Sequence, residues 1–282
     1  MKKSLVKFLF IFLILTLGVS HANQSVKRTP IKAVLFDVFG TVVDWRGSMV
    51  TAFNVLFEQK KVTNISAETF VLSWVKAYSD NMTLISDGKK KFATVDVLNK
   101  QALDDTLKYY HIYHQFSDHD RLKMWRLWRN LKPWPDSLKG INLLKTQMRV
   151  GTLSNGNVSL LQDLSHNVGI EWDIIISGET FRRYKPDPKI YLSAANMLHL
   201  KPNEILLVAS HKYDLVAASK SGYKTAYIFR PKESSTLSPD QLPKKNEFDF
   251  VVNGIDELAM QLTTSSVRGY PKSVPPIREL YN

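Results

Sequence analysis

The second half of the chain alternates short apolar runs with amphipathic ones, and no other feature restricts the possible folds as strongly. The amphipathic runs carry apolar residues three and four positions apart, which is typical of helices. Short strands that alternate with helices predict parallel βαβ units with right-handed crossovers. The predicted strands are residues 149–153, 174–177, 205–208, 225–229 and 250–252, and the predicted helices are residues 137–147, 158–166, 188–198 and 215–221.

A further apolar run, residues 31–36, has no helical period and predicts a buried strand that ends at Asp37. Most of residues 46–135 has the helical period instead, in four stretches: 48–61, 67–81, 95–110 and 119–131. The sequence therefore predicts an α/β protein with a doubly wound, Rossmann-like parallel-sheet core. The predicted core comprises residues 31–46 and 136–265, with an inserted helical domain of residues 47–135 and an irregular tail of residues 266–282.

The first 22 residues are typical of a secretory signal peptide. Lysines at positions 2, 3 and 7 precede the apolar residues 8–15, and Ser20 and Ala22 supply the small side chains that a signal peptidase reads. A membrane-spanning helix needs roughly 20 apolar residues, and this stretch is shorter, which disfavours an uncleaved anchor. We therefore expect cleavage near Ala22 and a periplasmic or secreted protein that meets a membrane only through its signal peptide.

Composition excludes several classes of site. The 282 residues include no cysteine, which rules out disulfides, thiolate metal sites and cysteine nucleophiles. The formal net charge is +12, but the lysines and arginines are scattered, and this favours a solvated basic surface over nucleic-acid binding. A small anionic substrate would be attracted to such a protein.

Chemically capable side chains follow the predicted strands. Asp37 and Thr41 follow the first strand, Ser154 and Asn155 follow the strand that ends at residue 153, and Lys185 follows residue 177 at a short distance. Ser210, His211 and Asp214 follow the strand that ends at residue 208. The carboxyl ends of parallel strands share one edge of the sheet, so these groups are expected to meet in one pocket. They would combine two carboxylates, one ammonium group and several small hydrogen-bonding groups.

Four motifs in this order resemble the haloacid dehalogenase superfamily, and within it the type II L-2-haloacid dehalogenases. They are FDVFGTVVDWR at residues 36–46, TLSNGN at 152–157, YKPDP at 184–188 and VASHKYDL at 208–215. The resemblance covers nearly the whole chain after the signal peptide, and it places the helical insertion where the family carries its cap domain. It implies hydrolytic dehalogenation of a short-chain 2-haloacid through an aspartyl ester, without a metal or other cofactor.

The resemblance also assigns roles to residues of this chain. Asp37 would be the nucleophile, Lys185 would keep it ionised, and Asp214 would position Lys185 and help to orient or deprotonate the hydrolytic water. Thr41, Ser154 and Asn155 would bind the nucleophile's carboxylate, the substrate carboxylate and the departing halide. The resemblance also places His211 near the water or Asp214, and Tyr191 near the pocket. Relatives are often homodimers, which makes a homodimer an expectation here.

Two positions depart from the superfamily's patterns. Its phosphatases carry an acid two residues after the nucleophile, whereas this chain has Phe39, whose ring cannot protonate a leaving group. The halide-binding arginine of the dehalogenases aligns with Val75, and Arg46 or Lys212 is the expected substitute. Two readings therefore stay open beside the dehalogenase: a phosphohydrolase with an unusual second position, and an exported protein that binds a small carboxylate without turnover.

Overall fold

The computed structural model describes residues 30–233 and 242–264. The predicted signal peptide, residues 1–22, and the predicted tail, residues 266–282, lie outside the described residues. The strands are β1 (Ala33–Phe36), β2 (Val43–Asp44), β3 (Lys132–Pro133), β4 (Arg149–Ser154), β5 (Ile174–Ser177), β6 (Ile205–Ala209), β7 (Lys224–Ile228) and β8 (Phe250–Val252). The helices are α1 (Trp45–Gln59), α2 (Ala67–Ser86), α3 (Val95–Tyr109), α4 (Asp118–Arg126), α5 (Ser137–Lys145), α6 (Val158–Val168), α7 (Gly178–Phe181), α8 (Pro188–Leu198), α9 (Lys212–Lys220) and α10 (Ile255–Thr264).

Six parallel strands form the central sheet in the order β5-β4-β1-β6-β7-β8. After β1 the chain adds strands first on one side and later on the other, so β1 lies at the point where the strand order reverses. Ligands of doubly wound sheets bind at the carboxyl ends of the strands at such a point. The predicted fold class is confirmed, including the inserted helices.

Side chains of β1 alternate between the two faces of this sheet. Val34 and Phe36 belong to one buried apolar cluster, and Ala33 and Leu35 belong to the other. This alternation follows from the two-residue period of a strand, and it explains why β1 is apolar throughout, since helices cover both faces. Burying one large apolar side chain in this way stabilises the fold by about 1.5–3 kcal/mol.

The inserted helices α1 to α4 form the cap, and a two-stranded antiparallel ribbon joins the cap to the core. Val43 of β2 is paired with Pro133 of β3, where the chain leaves the core and where it returns. The apolar cluster that contains Phe36 continues into the cap through Phe53, Trp74 and Trp128. The cap and this face of the core therefore share one apolar interior.

Some elements differ from the sequence-based expectations. Helix α1 begins at Trp45, so the expected boundary between residues 46 and 47 falls inside this helix. The short elements β2, β3 and α7, and the helix α10, were not expected. Within the part of the chain described here, no helix is both long enough and apolar enough to span a membrane.

Candidate active site

Asp37 is the first residue after β1 and lies at the centre of the sheet edge. Its backbone N–H donates to the carbonyl oxygen of Val208 on β6 at 2.9 Å, which fixes the start of the following turn. Thr41 donates its hydroxyl proton to Asp37 Oδ2 at 3.0 Å and accepts the backbone N–H of Ser210 at 2.8 Å. The carboxylate is thus held in one orientation by groups that follow two neighbouring strands.

Lys185 lies between two carboxylates. Its Nζ is 3.3 Å from Asp37 Oδ1 and 2.5 Å from Asp214 Oδ2, and its side chain is almost fully buried. Tyr191 on α8 donates its hydroxyl proton to Asp214 Oδ1 at 2.6 Å. Both oxygens of Asp214 are therefore engaged, one by Lys185 and the other by Tyr191.

The surroundings of this cluster shift the pKa values of its two carboxyl groups in opposite directions. Burial opposes ionisation of Asp37, but Lys185 and His211 outweigh it and hold the pKa of Asp37 well below its usual range. Burial raises the pKa of Asp214, and the negative charge of Asp37 raises it further. Burial would lower the pKa of Lys185, but Asp214 and Asp37 reverse this, so the pKa of Lys185 is raised and its ammonium group stays charged. Asp37 therefore ionises more readily than Asp214.

His211 contacts the carboxylate oxygen of Asp37 that Lys185 does not contact. Its Nδ1 lies 2.9 Å from Asp37 Oδ2, and its Nε2 lies 3.2 Å from Oε1 of Glu233. Burial disfavours the charged ring, but hydrogen bonds to Asp37 and Glu233 raise the pKa of His211 to about 10. His211 is therefore an imidazolium at neutral pH, and both of its ring nitrogens are donors.

A cavity of about 250 Å³ opens between the cap and this edge of the sheet. Asp37, His211 and Glu233 lie on its wall together with the polar residues Ser154 and Asn155. The remaining walls are mostly apolar or aromatic, formed by residues that include Phe39, Trp45, Val75, Tyr78, Met82, Val95, Trp128, Leu160 and Tyr213. A small ligand with one anionic end and a short apolar body matches this lining.

Ser154 and Asn155 lie where β4 ends. The Ser154 hydroxyl accepts the backbone N–H of Gly156 at 3.2 Å, so its own proton can be donated. Oδ1 of Asn155 accepts the backbone N–H of Lys185 at 2.7 Å, which fixes the amide. No hydrogen bond joins its NH₂ group to any described residue, and that group can bind an anion in the cavity.

The structure does not bring every expected residue to the cavity. Arg46 is paired with Glu68 and donates to the carbonyl oxygen of Lys232 at 3.3 Å, because successive helical side chains diverge and Trp45 takes the cavity-facing position. Lys212 is paired with Glu247 at 3.0 Å. The expectation that one of these two residues substitutes for the missing halide-binding arginine is therefore wrong.

Val75 reaches the cavity, whereas Tyr191 does not. Val75 does line the cavity, as the alignment implied, while the adjacent Lys76 is exposed and paired with Asp80 at 2.6 Å. Tyr191 binds Asp214 behind Lys185 and does not line the cavity, so its expected contact with substrate is not supported. Among the described residues on the cavity wall, His211 is the only cation.

Several wall residues were missed at the level of sequence. Glu233 follows β7 at a short distance, in the same relation to its strand as the expected site residues, and this position was the available signal. Trp45, Tyr78 and Tyr213 carry no such signal, because aromatic residues at helical spacing usually serve the core. Their contact with the cavity depends on how the cap packs on the sheet.

These features define a class of protein: an enzyme with a doubly wound α/β core, whose site combines a buried anionic carboxylate with a lysine under a helical cap. Within the described ranges there is no group of three or more histidine, aspartate or glutamate side chains arranged to hold a metal ion. The site can deliver a carboxylate oxygen to an electrophilic carbon in a largely apolar cavity.

Comparison with known proteins agrees with this class. The sequence profile of the haloacid dehalogenase-like hydrolases matches residues 31–222. The chain is 30% identical to (S)-2-haloacid dehalogenase 4A of Burkholderia cepacia over 234 residues, which cover 81% of this chain and 93% of that relative. It is also 27% identical to (S)-2-haloacid dehalogenase 1 of Pseudomonas sp. strain CBS-3 over 76% of this chain and 96% of that enzyme.

A solved structure extends the likeness to the fold. A defluorinating L-2-haloacid dehalogenase superposes with a TM-score of 0.77 at 39% identity, covering 83% of this chain and 95% of that one. The chain belongs to the haloacid dehalogenase-like hydrolases.

Proposed function

We propose that this protein is an (S)-2-haloacid dehalogenase that hydrolyses a short-chain 2-haloacid through an ester on Asp37. The observation that carries the proposal is the anionic carboxylate of Asp37, which faces a largely apolar cavity and lies 3.3 Å from Lys185 Nζ. Support also comes from relatives that bear this activity in their names.

In the first half-reaction, an oxygen of Asp37 attacks C2 of the haloacid, and the halide departs from the opposite side with inversion at C2. Lys185 keeps Asp37 ionised and limits its rotation. Asp214 holds Lys185 in place, and Tyr191 holds Asp214. The apolar wall strengthens these interactions because it excludes water from the reacting atoms.

The substrate carboxylate binds Ser154 and the amide of Asn155. Ser154 ends β4 and Asn155 follows it, and both line the cavity with Asp37, so the α-carbon of a 2-haloacid is brought close to the nucleophile. The cavity volume of about 250 Å³ favours short chains. In the second half-reaction, water attacks the carbonyl carbon of the Asp37 ester and releases the 2-hydroxy acid with the oxygen that Asp37 supplied.

Phe39 argues for displacement at carbon over phosphoryl transfer. It lines the cavity two residues after Asp37, where an acid would have to protonate the leaving group of a phosphate ester. Its ring also lies 5.9 Å from the ring of Trp128, in an aromatic wall that disfavours a doubly charged phosphate.

The test is halide release from the two enantiomers of 2-chloropropionate, with and without EDTA. We expect release from the L enantiomer, D-lactate as the product, and no effect of the chelator. Asp37→Asn should be inactive. His119→Asn, at an exposed position of the cap, is the control for the effects of purification and folding. Failure of the wild-type protein to release halide from either enantiomer, or a requirement for Mg²⁺, would refute the proposal.

Export and assembly are part of the proposal. The amino-terminal sequence supports a periplasmic or secreted enzyme, and mass spectrometry of the exported protein should find Asn23 at its amino terminus. An intact first residue in the cytoplasmic fraction would contradict export. We also propose a homodimer, and sedimentation of the mature protein should find twice the mass of the mature chain.

A further inference from the structure

His211 occupies a position between the nucleophile and a second carboxylate. Nδ1 faces Asp37 Oδ2 at 2.9 Å and Nε2 faces Glu233 at 3.2 Å, while Trp45 donates its indole N–H to the same Glu233 oxygen at 2.9 Å. Gly40 makes room for this contact, because a Cβ there would lie 2.9 Å from Cγ of Glu233. Glu233 is thus fixed on His211 as an orienting carboxylate, in the arrangement that aligns a catalytic imidazole.

We propose that His211 is the general base that activates water against the Asp37 ester, and that Glu233 is the positioning residue that aligns its ring. This inference rests on the proposed dehalogenase function and deepens it. Among the described residues on the cavity wall, His211 has the best position to move protons in the second half-reaction.

Formation of the ester changes the state of His211. In the resting enzyme the ring is a cation between two anions. Alkylation removes the negative charge of Asp37, so the pKa of His211 falls, and its Nδ1 proton passes to solvent as the halide departs. The ring is then neutral, with the lone pair of Nδ1 directed at the ester and Nε2–H donated to Glu233.

The hydrolytic step can then be written with every proton placed. Water forms a bond to Cγ of Asp37 and gives one proton to Nδ1 of His211. The bond between Cγ and the product oxygen breaks, and the same proton moves from Nδ1 to that oxygen, which becomes the hydroxyl group of the 2-hydroxy acid. Asp37, left as a carboxylic acid, protonates His211 and restores the resting ion pair.

Asp214 is less well placed for this task. Lys185 and Tyr191 occupy its two carboxylate oxygens, and it does not line the cavity from which water reaches Asp37. His211 does line that cavity and already contacts the reacting carboxyl group. The geometry therefore separates the two tasks, with Asp214 holding Lys185 and His211 handling the proton.

The groups that set the protonation of His211 come from several elements. Asp37 follows β1, Glu233 follows β7, and Lys185 reaches Asp37 from the segment before α8. The Tyr213 ring on α9 lies 5.7 Å from the His211 ring. Among the described residues, the remaining titratable groups that sense Asp37 or Glu233 are Asp214, Tyr78 and Tyr191.

The test compares the burst of halide with steady-state turnover in His211→Asn and Glu233→Gln, using L-2-chloropropionate. We expect His211→Asn to release close to one halide per site rapidly, to accumulate the Asp37 ester by mass spectrometry, and to turn over roughly 100-fold or more slowly. Glu233→Gln should show a smaller loss of the same kind. The exposed substitutions His119→Asn and Glu58→Gln are matched controls, and thermal unfolding checks that each variant is folded.

Several outcomes would overturn the inference while leaving the dehalogenase function intact. One is equal slowing of the halide burst and of turnover in His211→Asn, and another is turnover within about threefold of wild type. A third is ester accumulation with a normal burst in Asp214→Asn alone, which would make Asp214 the base. No halide release by wild type would instead refute the proposed function itself.

The pH dependence of ester hydrolysis in single turnovers gives a readout that a purely structural role would not move. In wild type the rate should rise with pH as His211 loses its proton in the ester form. In Glu233→Gln the rise should shift to lower pH, because removing an anion lowers the pKa of the neighbouring imidazole. A profile identical to wild type in Glu233→Gln would contradict the role of Glu233.

Discussion

Lys185 is the residue on which the ionisation of Asp37 depends most. Replacing it with Met removes the ammonium group 3.3 Å from Asp37 and leaves two buried carboxyl groups without their shared cation. We expect halide release to fall roughly 100-fold or more, and its acid limb to move to higher pH as the pKa of Asp37 rises. Halide-release assays across pH check this, with the exposed Lys189→Met as control. An unshifted acid limb in Lys185→Met would show that Lys185 does not hold Asp37 ionised.

His211 makes the stability of the fold depend on pH. Its pKa is raised to about 10 in the folded protein by Asp37 and Glu233, although burial opposes this. The stabilisation is complete below the ordinary histidine pKa of about 6.5 and disappears as pH rises through the folded value. We expect the free energy of unfolding to fall more between pH 7 and alkaline pH in wild type than in His211→Gln. Urea unfolding at both pH values measures this, and parallel losses would contradict it.

The expected site residues were accessible from sequence for a specific reason. Asp37, Asn155 and His211 each follow a short buried strand, and parallel strands bring such positions to one edge whatever the details of packing. Glu233 obeys the same rule less visibly, because it lies five residues after the end of β7. Arg46 was misplaced because adjacent positions on α1 face different directions, and sequence alone does not say which of them meets the cavity.

At the scale of elements, the contact between the cap and the core depends on Asp96, at the start of α3. Its carboxylate accepts from Arg129 at 2.5 and 3.1 Å and from Asn157 of the core at 2.9 Å. Asn157 precedes α6, and its neighbour Gly156 lines the cavity. Asp96, Arg129 and Asn157 form a latch that joins the cap to the core directly beside the site.

Removing that carboxylate should loosen the cap. Asp96→Ala is expected to lower the free energy of unfolding by about 1–3 kcal/mol, since hydrogen bonds to charged groups are lost. It should also raise KM several-fold more than it lowers kcat, because closure over the substrate weakens. Asp118→Ala, which removes an exposed pair with Arg121, should change neither value appreciably. Unchanged KM and stability in Asp96→Ala would contradict a latch.

Most helices and strands of the core were predictable because burial on both faces leaves an uninterrupted apolar run. Strands β5 and β8 and helix α8 have the predicted bounds. The ribbon of β2 and β3 could not be predicted, because two-residue strands carry no period. Its pairing joins residues about 90 positions apart, and it follows from how the cap is attached.

At the scale of the whole molecule, one apolar interior runs through the cap and one face of the sheet. We therefore expect residues 30–264 to unfold in a single transition. Tryptophan fluorescence reports mainly on the cap and its junction, through Trp45, Trp74, Trp125 and Trp128, whereas circular dichroism reports on all helices. Coincident urea transitions by the two probes are the expected result. Separate midpoints would show that the cap unfolds independently of the core.

In the proposed reaction, the oxygen delivered to the product comes from Asp37 and is replaced from water. A single turnover of L-2-chloropropionate in H₂¹⁸O, with enzyme in excess, tests it directly. We expect mass spectrometry to find ¹⁸O in the peptide that contains Asp37 and unlabelled lactate. Label in the lactate, with none in that peptide, would show direct attack of water on the substrate and would rule out an ester on Asp37.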